Sequence, residues 1–230
     1  LKSLAEELGG KVHVTPGNLS EADGAEAVFS AATEAMGGLD VLVNNAGMMA
    51  GAPGEVERYN DQLESFFEAA QGGEPLADPW NFLQTITVAS WRKMIDVHLS
   101  GTFYCIKFAL PYMSRGAAII NMASIGAVTG SPGVPHYSAA KAGICGLTRS
   151  LATEFGPKGI RINVILPGLI NTPIADKISD VAKNVGLVRQ APLGRAGEPD
   201  EVASTALFLA SDQGSYFTGQ QLSPSGGLWM

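Results

Sequence analysis

Residues 117–168 read AAIINMASIGAVTGSPGVPHYSAAKAGICGLTRSLATEFGPKGIRINVILPG. Short apolar runs open and close this segment, at Ala117–Met122 and Ile160–Leu166, and a stretch of helical period, His136–Phe155, lies between them. Gly156-Pro157 ends that helix. A strand, a helix and a second strand in this order are typical of a unit whose two strands are parallel. The segment therefore predicts a parallel sheet covered by helices.

The same alternation continues on both sides of this segment. Apolar runs at Lys11–Thr15, Leu39–Asn44 and Gln220–Ser223 predict three more strands, and Trp91–Met113 has a helical period. Another helix begins at Pro199, a residue favoured at the first helical position. We predict an α/β fold, Rossmann-like, with a doubly wound parallel sheet whose two faces are covered by helices.

The front of the sequence departs from that pattern. Leu1–Leu8 has a helical pattern with no strand before it, whereas a doubly wound sheet begins with a strand, a glycine-rich turn, a helix and a second strand. No GxGxxG or GxxxGxG motif, the turn that holds a dinucleotide pyrophosphate, occurs in the 230 residues. We expect the domain without its first strand-helix-strand unit. Either that unit precedes residue 1 or the protein lacks the phosphate loop.

A long connection, Met48–Thr87, separates one predicted strand from its following helix, and we interpret it as an insertion. Leu63, Phe66, Phe67 and Ala70 recur there at helical spacing and predict an amphipathic helix. Connections of this kind lie at the carboxyl ends of the strands, where ligands bind. The insertion is consistent with a substrate lid, a surface decoration or a subunit contact.

Composition restricts the class of protein. With 46% hydrophobic residues, the chain can bury one core, so residues 1–230 predict a single domain. A net charge of -7 disfavours nucleic acid as a partner. The absence of a membrane-length apolar run or a signal-like segment favours a cytoplasmic protein with no membrane partner. Two cysteines and three histidines lack the spacing of a disulfide framework or a zinc site, so we predict no metal.

Three residues have the pattern of a proton-transfer site. Tyr137 and Lys141 are four residues apart on one predicted helix, so the phenol and the ammonium share a face. A neighbouring ammonium favours the phenolate, and we expect it to lower the pKa of the tyrosine towards neutral pH. Ser124 follows a predicted strand and lies where its hydroxyl can hold a carbonyl oxygen. The Tyr-x-x-x-Lys spacing alone is common by chance.

Several motifs in a fixed order make the assignment more specific. The chain resembles the short-chain dehydrogenase/reductase family, in the branch of the 3-oxoacyl-carrier-protein reductases, over nearly its whole length. The resemblance depends on Ser124, on Tyr137-Ser138-Ala139-Ala140-Lys141 and on motifs that end or follow strands: Asn44-Asn45-Ala46-Gly47, Arg161-Ile162-Asn163-Val164, Pro167-Gly168 with Ile170 and Thr172, Pro192-Leu193-Gly194-Arg195 and Tyr216-Phe217-Thr218-Gly219-Gln220.

The resemblance implies an NAD(P)-dependent oxidoreductase that transfers a hydride between a nicotinamide cofactor and a carbonyl or secondary alcohol. Tyr137 would be the acid or base, Ser124 would orient the carbonyl, and Lys141 would adjust the tyrosine and bind the nicotinamide ribose. The choice between NAD and NADP cannot be read from these residues. The other implied cofactor contacts are Asn18, Leu19, Asn44, Asn45, Ala46, Gly47, Pro167, Gly168, Ile170 and Thr172.

Some of these assignments have alternatives. Asn18 stands where the family usually has an aspartate, although an amide can still bond adenine. For Asn44 and Asn45, a structural role between strands is an alternative to cofactor contact. His98 replaces a family asparagine that holds a water next to the lysine. Histidine could serve the same proton relay because it titrates near neutrality, or it could be a packed residue that impairs turnover.

Two whole-protein interpretations follow. The first is an active oxidoreductase, for which the resemblance also implies a homo-oligomer, usually a tetramer assembled through Trp91–Met113 and His136–Phe155. The second is a non-catalytic scaffold or interaction protein that keeps the fold, motivated by the missing phosphate loop and by His98. Binding of a dinucleotide distinguishes the two.

Overall fold

The computed structural model describes residues 2–9, 12–72, 82–180, 183, 188 and 190–230, and it describes no side chains for 2–4, 66–72 and 82. The described residues contain a sheet of four parallel strands in the order β1-β2-β3-β4. These strands are β1 (Val41–Asn44), β2 (Ala118–Met122), β3 (Arg161–Ile165) and β4 (Gln221–Leu222). All four were predicted, with bounds slightly too long.

The fifth predicted strand is wrong. Lys11 lies outside the described residues, and 12–15 form no strand. A strand needs a neighbour for its backbone N–H and C=O groups, and within the described chain β1 pairs with β2 alone. Val12 and Val14 are accordingly exposed, at 41% and 38%. Apolar alternation is therefore not enough to form a strand where no partner strand lies alongside.

Helices connect and cover the strands. The two long predicted helices are present: α8 is Pro135–Phe155, and the other is built from α5 (Val88–Ile95), a π-helical turn (Asp96–Ser100) and α6 (Gly101–Ala109). The π turn interrupts the α-helical hydrogen bonding at His98, and turns of this type are frequent at functional sites. The remaining α-helices are α1 (Lys2–Leu8), α2 (Ala22–Met36), α3 (Glu55–Gly72), α4 (Phe82–Thr85), α7 (Gly126–Thr129) and α9 (Pro199–Ala210).

Local chemistry explains where two of these helices begin. Thr87 Oγ1 accepts a hydrogen bond from Ser90 N–H at 3.0 Å and so caps α5. In α9 the side chain of Glu201 accepts from Glu198 N–H at 2.8 Å, which forms a capping box around Pro199. Pro199 is the first helical residue, as predicted.

Alternating residues of the strands face opposite layers of helices. Ile119 and Ile162 pack with Ile106 of α6 on one face. Ile120 and Ile165 pack with Leu209 of α9 on the other. All of these side chains are at most 1% exposed. The predicted class, a Rossmann-like α/β fold with helices on both faces of a parallel sheet, is confirmed.

The inserted segment contains the predicted helix. In α3, Leu63 is buried at 7% exposure, while the side chains of Phe66, Phe67 and Ala70 lie outside the described part. Asn60 Nδ2 donates to the Lys177 carbonyl at 2.8 Å, and Ser179 N–H donates to Asn60 Oδ1 at 3.1 Å. The insertion is thus attached to the chain that follows β3. Among the described helices, none is both long and apolar enough to cross a bilayer.

Candidate active site

The loop that follows β2 holds Ser124 at the carboxyl edge of the sheet. Ala123 N–H donates to the Ile165 carbonyl at 2.8 Å, and Ile125 N–H donates to the Pro167 carbonyl at 2.9 Å. Gly126 N–H donates to Ser124 Oγ at 3.2 Å. These bonds connect the serine loop to the end of β3. Ser124 is half-buried and stays within reach of a ligand at that edge.

Tyr137 and Lys141 lie one turn apart at the start of α8, as predicted. Lys141 Nζ is 5.7 Å from the centroid of the Tyr137 ring, on the same side of the helix. The ammonium donates to the Met122 carbonyl at 2.8 Å, and only 6% of the residue is exposed. The end of β2 therefore holds Lys141 as well as the loop with Ser124, and the three side chains converge at one edge.

The pKa values favour one protonation state for each group. Burial raises the pKa of Tyr137 above its ordinary value of 10.0, and a hydrogen bond with Ser124 opposes the rise only in part. The expected lowering of this pKa by Lys141 is therefore not met, because burial dominates. Burial also lowers the pKa of Lys141 to about 8. At neutral pH the site thus presents a neutral phenol, ready to give a proton, beside a charged ammonium.

His98 joins the same group from the π turn. Its ring lies edge-on to the Tyr137 ring, with centroids 5.5 Å apart and planes at 88°. His98 Nε2 is 2.9 Å from the Met48 carbonyl oxygen, which favours Nε2 as the donor in this contact. Burial and the charge of Lys141 lower the pKa of His98 to about 4. The expected titration near neutrality is thus wrong, and the ring is neutral at working pH.

The residues after β1 line a cavity of about 160 Å³ together with α2 and α6. Of the residues predicted to contact the cofactor, Leu19, Asn44, Asn45 and Ala46 meet there. Gly47 does not line it but lies against His98, where a Cβ would be 2.7 Å from the His98 Cε1 atom. Only glycine therefore fits beside that ring.

Asn44 has a structural contact that the alternative interpretation anticipated. Asn44 Nδ2 donates to Asn121 Oδ1 at 2.8 Å, and Asn121 Nδ2 donates to Thr148 Oγ1 at 2.9 Å. Asn121 and Thr148 are completely buried. This chain of side chains joins β1, β2 and α8, so Asn44 helps to hold the end of β1 against α8.

Asn18 is the predicted cofactor residue with the least support. Its Oδ1 accepts from Ser20 N–H at 3.1 Å and from Ser20 Oγ at 2.7 Å, and its Nδ2 donates to Glu21 Oε1 at 2.8 Å. The amide is thus occupied in the turn that leads into α2. An exposed side chain whose donor and acceptor are both occupied locally is poorly placed to bind adenine.

The residues after β3 lie on the other side of Ser124. Gly168 N–H donates to the Pro224 carbonyl at 3.1 Å, and a Cβ at Gly168 would be 2.9 Å from the Ser225 Cα. Ile170 forms a single bridge with Gly197, and Thr172 Oγ1 accepts weakly from Ala175 N–H at 3.4 Å. Pro167, Gly168, Ile170 and Thr172 thus border the site without reaching the cavity after β1.

Sequence reasoning missed several polar residues around the site, among them Glu55, Ser90 and His136. His136 is 2% exposed and Ser90 is completely buried. Only His136 had a signal in the sequence, because it precedes Tyr137 in the same helix turn. Glu55 reaches this region only through the folding of the inserted segment. In the described part of the chain, no three His, Cys, Asp or Glu side chains form a metal-binding group.

The arrangement fits a nicotinamide dinucleotide at the catalytic edge. Lys141 is a buried ammonium with three N–H donors, and among the described residues its acceptor is the Met122 carbonyl, so ribose hydroxyls would supply further acceptors. The cavity after β1 adds an apolar wall from Leu19 and polar groups from Asn44 and Asn45. Tyr137, Lys141 and the cavity would hold the nucleoside parts of the cofactor at the carboxyl ends of the strands, where such ligands bind.

Comparison with known proteins identifies relatives of the whole chain. The family described as short chain dehydrogenase matches residues 1–70, and the one described as Enoyl-(Acyl carrier protein) reductase matches residues 75–229. A 3-oxoacyl-(acyl-carrier-protein) reductase of Thermotoga maritima is 35% identical over 97% of this chain and 80% of its own length. An L-rhamnose 1-dehydrogenase (NAD(P)(+)) of Azotobacter vinelandii is 34% identical over 99% of this chain and 80% of its own.

A solved structure agrees with these sequence matches. The crystal structure of a short-chain dehydrogenase/reductase from Brucella melitensis, described as a glucose/ribitol dehydrogenase, superposes with a TM-score of 0.82 at 30% identity. It covers 100% of this chain and 82% of the other. Sequence, fold and order of motifs therefore agree: the chain belongs to the short-chain dehydrogenase/reductase family, NAD(P)-dependent oxidoreductases that transfer hydride between a nicotinamide cofactor and a carbonyl or secondary alcohol.

Proposed function

We propose that this protein reduces a small-molecule carbonyl compound, or oxidises the corresponding alcohol, with Ser124, Tyr137 and Lys141 as its catalytic residues. The observation that supports this most directly is the convergence of the three side chains where β2 ends. The serine is hydrogen-bonded to the tyrosine, and the buried ammonium lies 5.7 Å from the tyrosine ring. Protonation of a developing alkoxide requires hydroxyl donors and a fixed positive charge close together, and Ser124, Tyr137 and Lys141 supply them.

The proposed roles follow from the geometry. The nicotinamide cofactor, when bound, supplies or accepts the hydride. Ser124 donates a hydrogen bond to the substrate oxygen and orients it, while Tyr137 gives its proton to the same oxygen as negative charge develops there. Because burial keeps Tyr137 neutral, the phenol has that proton at neutral pH. Lys141 stabilises the phenolate that remains and holds the cofactor ribose.

His98 is proposed as a positioning residue next to Lys141. Its ring contacts Tyr137 and lies near enough to Lys141 for the ammonium to disfavour protonation of the imidazole. A neutral imidazole donates at one nitrogen and accepts at the other, so it can pass a proton without becoming charged. A proton relay through His98 thus remains compatible with its pKa of about 4. For the cofactor, we propose contacts with Leu19, Asn44, Asn45, Ala46, Gly47, Pro167, Gly168, Ile170 and Thr172.

We further propose one domain, a cytoplasmic location and a homotetramer. Free, buried thiols at Cys105 and Cys145 are consistent with a reducing compartment. Exposed apolar side chains on the helices predicted to form the contact, Trp91 at 42% and Phe103 at 43%, support assembly. Light scattering with size-exclusion chromatography should give a tetramer at micromolar concentration, and a monomer would contradict this.

The catalytic proposal is tested by titrating the full-length protein with NADH and NADPH and assaying it on a panel of ketones. Tyr137→Phe should keep dinucleotide binding and lose turnover by about a thousandfold, because it lacks the proton donor. Tyr216→Phe is the matched control, since Tyr216 is fully exposed. Failure of the unmodified protein to bind either dinucleotide would favour the alternative, a non-catalytic scaffold that retains the fold.

A further inference from the structure

The first residues of the inserted segment are attached next to Tyr137. His98 Nε2 lies 2.9 Å from the Met48 carbonyl oxygen, and the His98 ring contacts the ring of Tyr137. Further along, Gly51 packs directly on Ser90 of α5, since a Cβ there would be 2.3 Å from the Ser90 Oγ. The insertion therefore begins on the Tyr137 side of the site.

The start of α3 is fixed on the same side. Glu55 Oε2 accepts from Gly51 N–H at 2.7 Å and from Ala52 N–H at 3.1 Å. The carboxylate also has a hydrogen bond with Ser90 and an electrostatic interaction with His136 in the first turn of α8. The first turn of α3 is thus held near the first turn of α8.

The middle of α3 is attached to a different part of the chain, the segment that follows β3. Asn60 Nδ2 donates to the Lys177 carbonyl at 2.8 Å, and Ser179 N–H donates to Asn60 Oδ1 at 3.1 Å. An uncharged amide offers a donor and an acceptor at once, which is what two backbone groups of opposite kind require. The paired bonds therefore fix the position of α3 relative to residues 177–179.

Residues 172–179 form a compact stretch that contains the proposed cofactor contact Thr172. Asp176 N–H donates to the Thr172 carbonyl at 3.1 Å, and Ile178 N–H donates to the Ala175 carbonyl at 3.0 Å. Because these turns follow one another directly, a displacement at the far end of the stretch also moves its beginning. The position of Thr172 therefore depends on how the far end is held.

Side-chain packing contributes little to the order of this stretch. Ala175 is 6% exposed, but Ile174 is 51% exposed and Lys177 is exposed as well. A segment with few buried side chains opens easily, because little burial opposes the entropy of its backbone. Hydrogen bonds from outside the stretch therefore contribute much of its order, and Asn60 supplies two of them.

We propose that Asn60 is a positioning residue that determines which carbonyl compounds reach Ser124 and Tyr137. By joining α3 to residues 177–179, it closes the side of the site between the insertion and the segment after β3. The closed side admits compact carbonyl compounds and excludes those with a long chain that would have to pass between the two segments. The inference rests on the proposed function and names the substrate class of that same site.

The test compares Asn60→Ala with Asp61→Ala, a change of the exposed neighbouring residue on the same helix. Reduction is measured with cyclohexanone, a compact ketone, and with methyl octyl ketone, which has a long chain. Asn60→Ala should lower the ratio of kcat/KM for cyclohexanone to that for methyl octyl ketone by about tenfold, because the loss of two hydrogen bonds opens the closed side. Asp61→Ala should keep the ratio of the unmodified protein. A merely structural defect would reduce both rates alike, and a preference of the unmodified protein for methyl octyl ketone would overturn the substrate class.

Asn60→Asp separates the hydrogen bonds from the size of the side chain, which it keeps. The carboxylate can still accept from Ser179 N–H, but it cannot donate to the Lys177 carbonyl and repels it. The ratio should therefore fall as far as in Asn60→Ala. A ratio equal to that of the unmodified protein would contradict the role of the amide.

Hydrogen exchange provides a readout that does not depend on turnover. The backbone amides of Asp176, Ile178 and Ser179 should exchange faster by about tenfold in Asn60→Ala and at an unchanged rate in Asp61→Ala. Unchanged exchange in Asn60→Ala would overturn the attachment, and faster exchange with an unchanged ratio would overturn its role in selectivity. If the unmodified protein reduces no ketone with either cofactor, the proposed function itself fails and the selectivity with it, whereas faster exchange would still establish the attachment.

Discussion

β1 and β2 are neighbouring strands with similar apolar sequences, but their side chains differ in solvent exposure. Every residue of β2 from Ala118 to Asn121 is at most 1% exposed. In β1, Leu42 is 8% exposed, but Val41 and Val43 are 38% and 45% exposed. β2 has a strand on each side and helices on both faces, whereas β1 has one neighbouring strand in the described chain. The proposed catalytic groups are attached to the well-packed strand, and the cavity after β1 borders the exposed one.

The dense packing around β2 and α8 holds the proposed reacting groups in place. A proton donor must stay within hydrogen-bond distance of its acceptor, which dense packing around β2 and α8 secures. The proposed cofactor contacts beside β1 are spread over several residues, so each of them is expected to contribute less than a single proton donor does. If this is correct, substitutions on the two sides should differ both in kind and in size.

The largest effect should come from the charged group in the well-packed region. Lys141→Met should lower kcat/KM by a hundredfold or more, about 3 kcal/mol at the transition state, because the phenolate loses its ammonium. The free energy of unfolding should not fall, since the buried charge is itself unfavourable, as the lowered pKa of Lys141 indicates. Urea denaturation and ketone assays measure both quantities, with exposed Lys107→Met as the control. Equal activity in the two variants would contradict the assignment.

The pH dependence of stability should sharpen the comparison further. His98 has a folded pKa of about 4, below its ordinary 6.5, so the unfolded chain binds the proton more readily between these values. This contribution to stability is present above about pH 6.5 and is lost as the pH falls towards 4, up to about 3 kcal/mol. His98→Asn should show a shallower loss in urea denaturation across that window. Exposed His13→Asn should follow the unmodified protein, and identical curves for both variants would count against a buried neutral ring.

A pair of valines compares β1 with β3, which is as deeply buried as β2. Val164→Ala in β3, where the side chain is completely buried, should cost about 2 kcal/mol of unfolding free energy, because two buried carbons are removed and a cavity remains. Val43→Ala in β1, at 45% exposure, should cost about half of that or less. Both values come from urea denaturation. Similar losses would show that β1 is covered in solution and that the comparison fails.

The smallest effect should arise where the two regions are joined. Asn44→Ala removes the donor to Asn121 and leaves a buried acceptor, at a cost of about 1 kcal/mol. Asn45→Ala, an exposed neighbour, should change stability by only a few tenths of a kcal/mol, about the usual range for a surface position. If Asn44→Ala instead weakens dinucleotide binding without changing stability, direct cofactor contact is its main role.

Much of the fold could be predicted because its signals are local. The run AAIINM and the helix that follows it specify their own structure by period and by apolar content. The strand prediction at residues 12–15 was wrong because a strand needs a partner strand, and no local sequence pattern shows whether one lies alongside. The same limit applied to β1, whose sequence does not reveal that Val41 and Val43 are exposed.

The candidate site was predictable only where its parts lie on one element. Tyr137 and Lys141 share a helix, so their spacing was enough. Their pKa values depend on burial, which the sequence does not contain, and the expected lowering for Tyr137 was therefore wrong. Glu55 interacts electrostatically with His136 only because the insertion packs against Ser90 of α5, a long-range arrangement that spacing cannot anticipate.

The contact between Gly47 and His98 also limits how the protein can change over time. A Cβ at position 47 would meet the imidazole at 2.7 Å, whereas the ring could be exchanged for a smaller side chain without a clash. Substitution is consequently ordered: position 98 must become smaller before position 47 can accept a side chain. If position 47 changed first, the resulting protein would keep His98, and the new side chain would displace the loop after β1. Lineages that descend from this sequence should therefore keep glycine at 47 for as long as they keep histidine at 98.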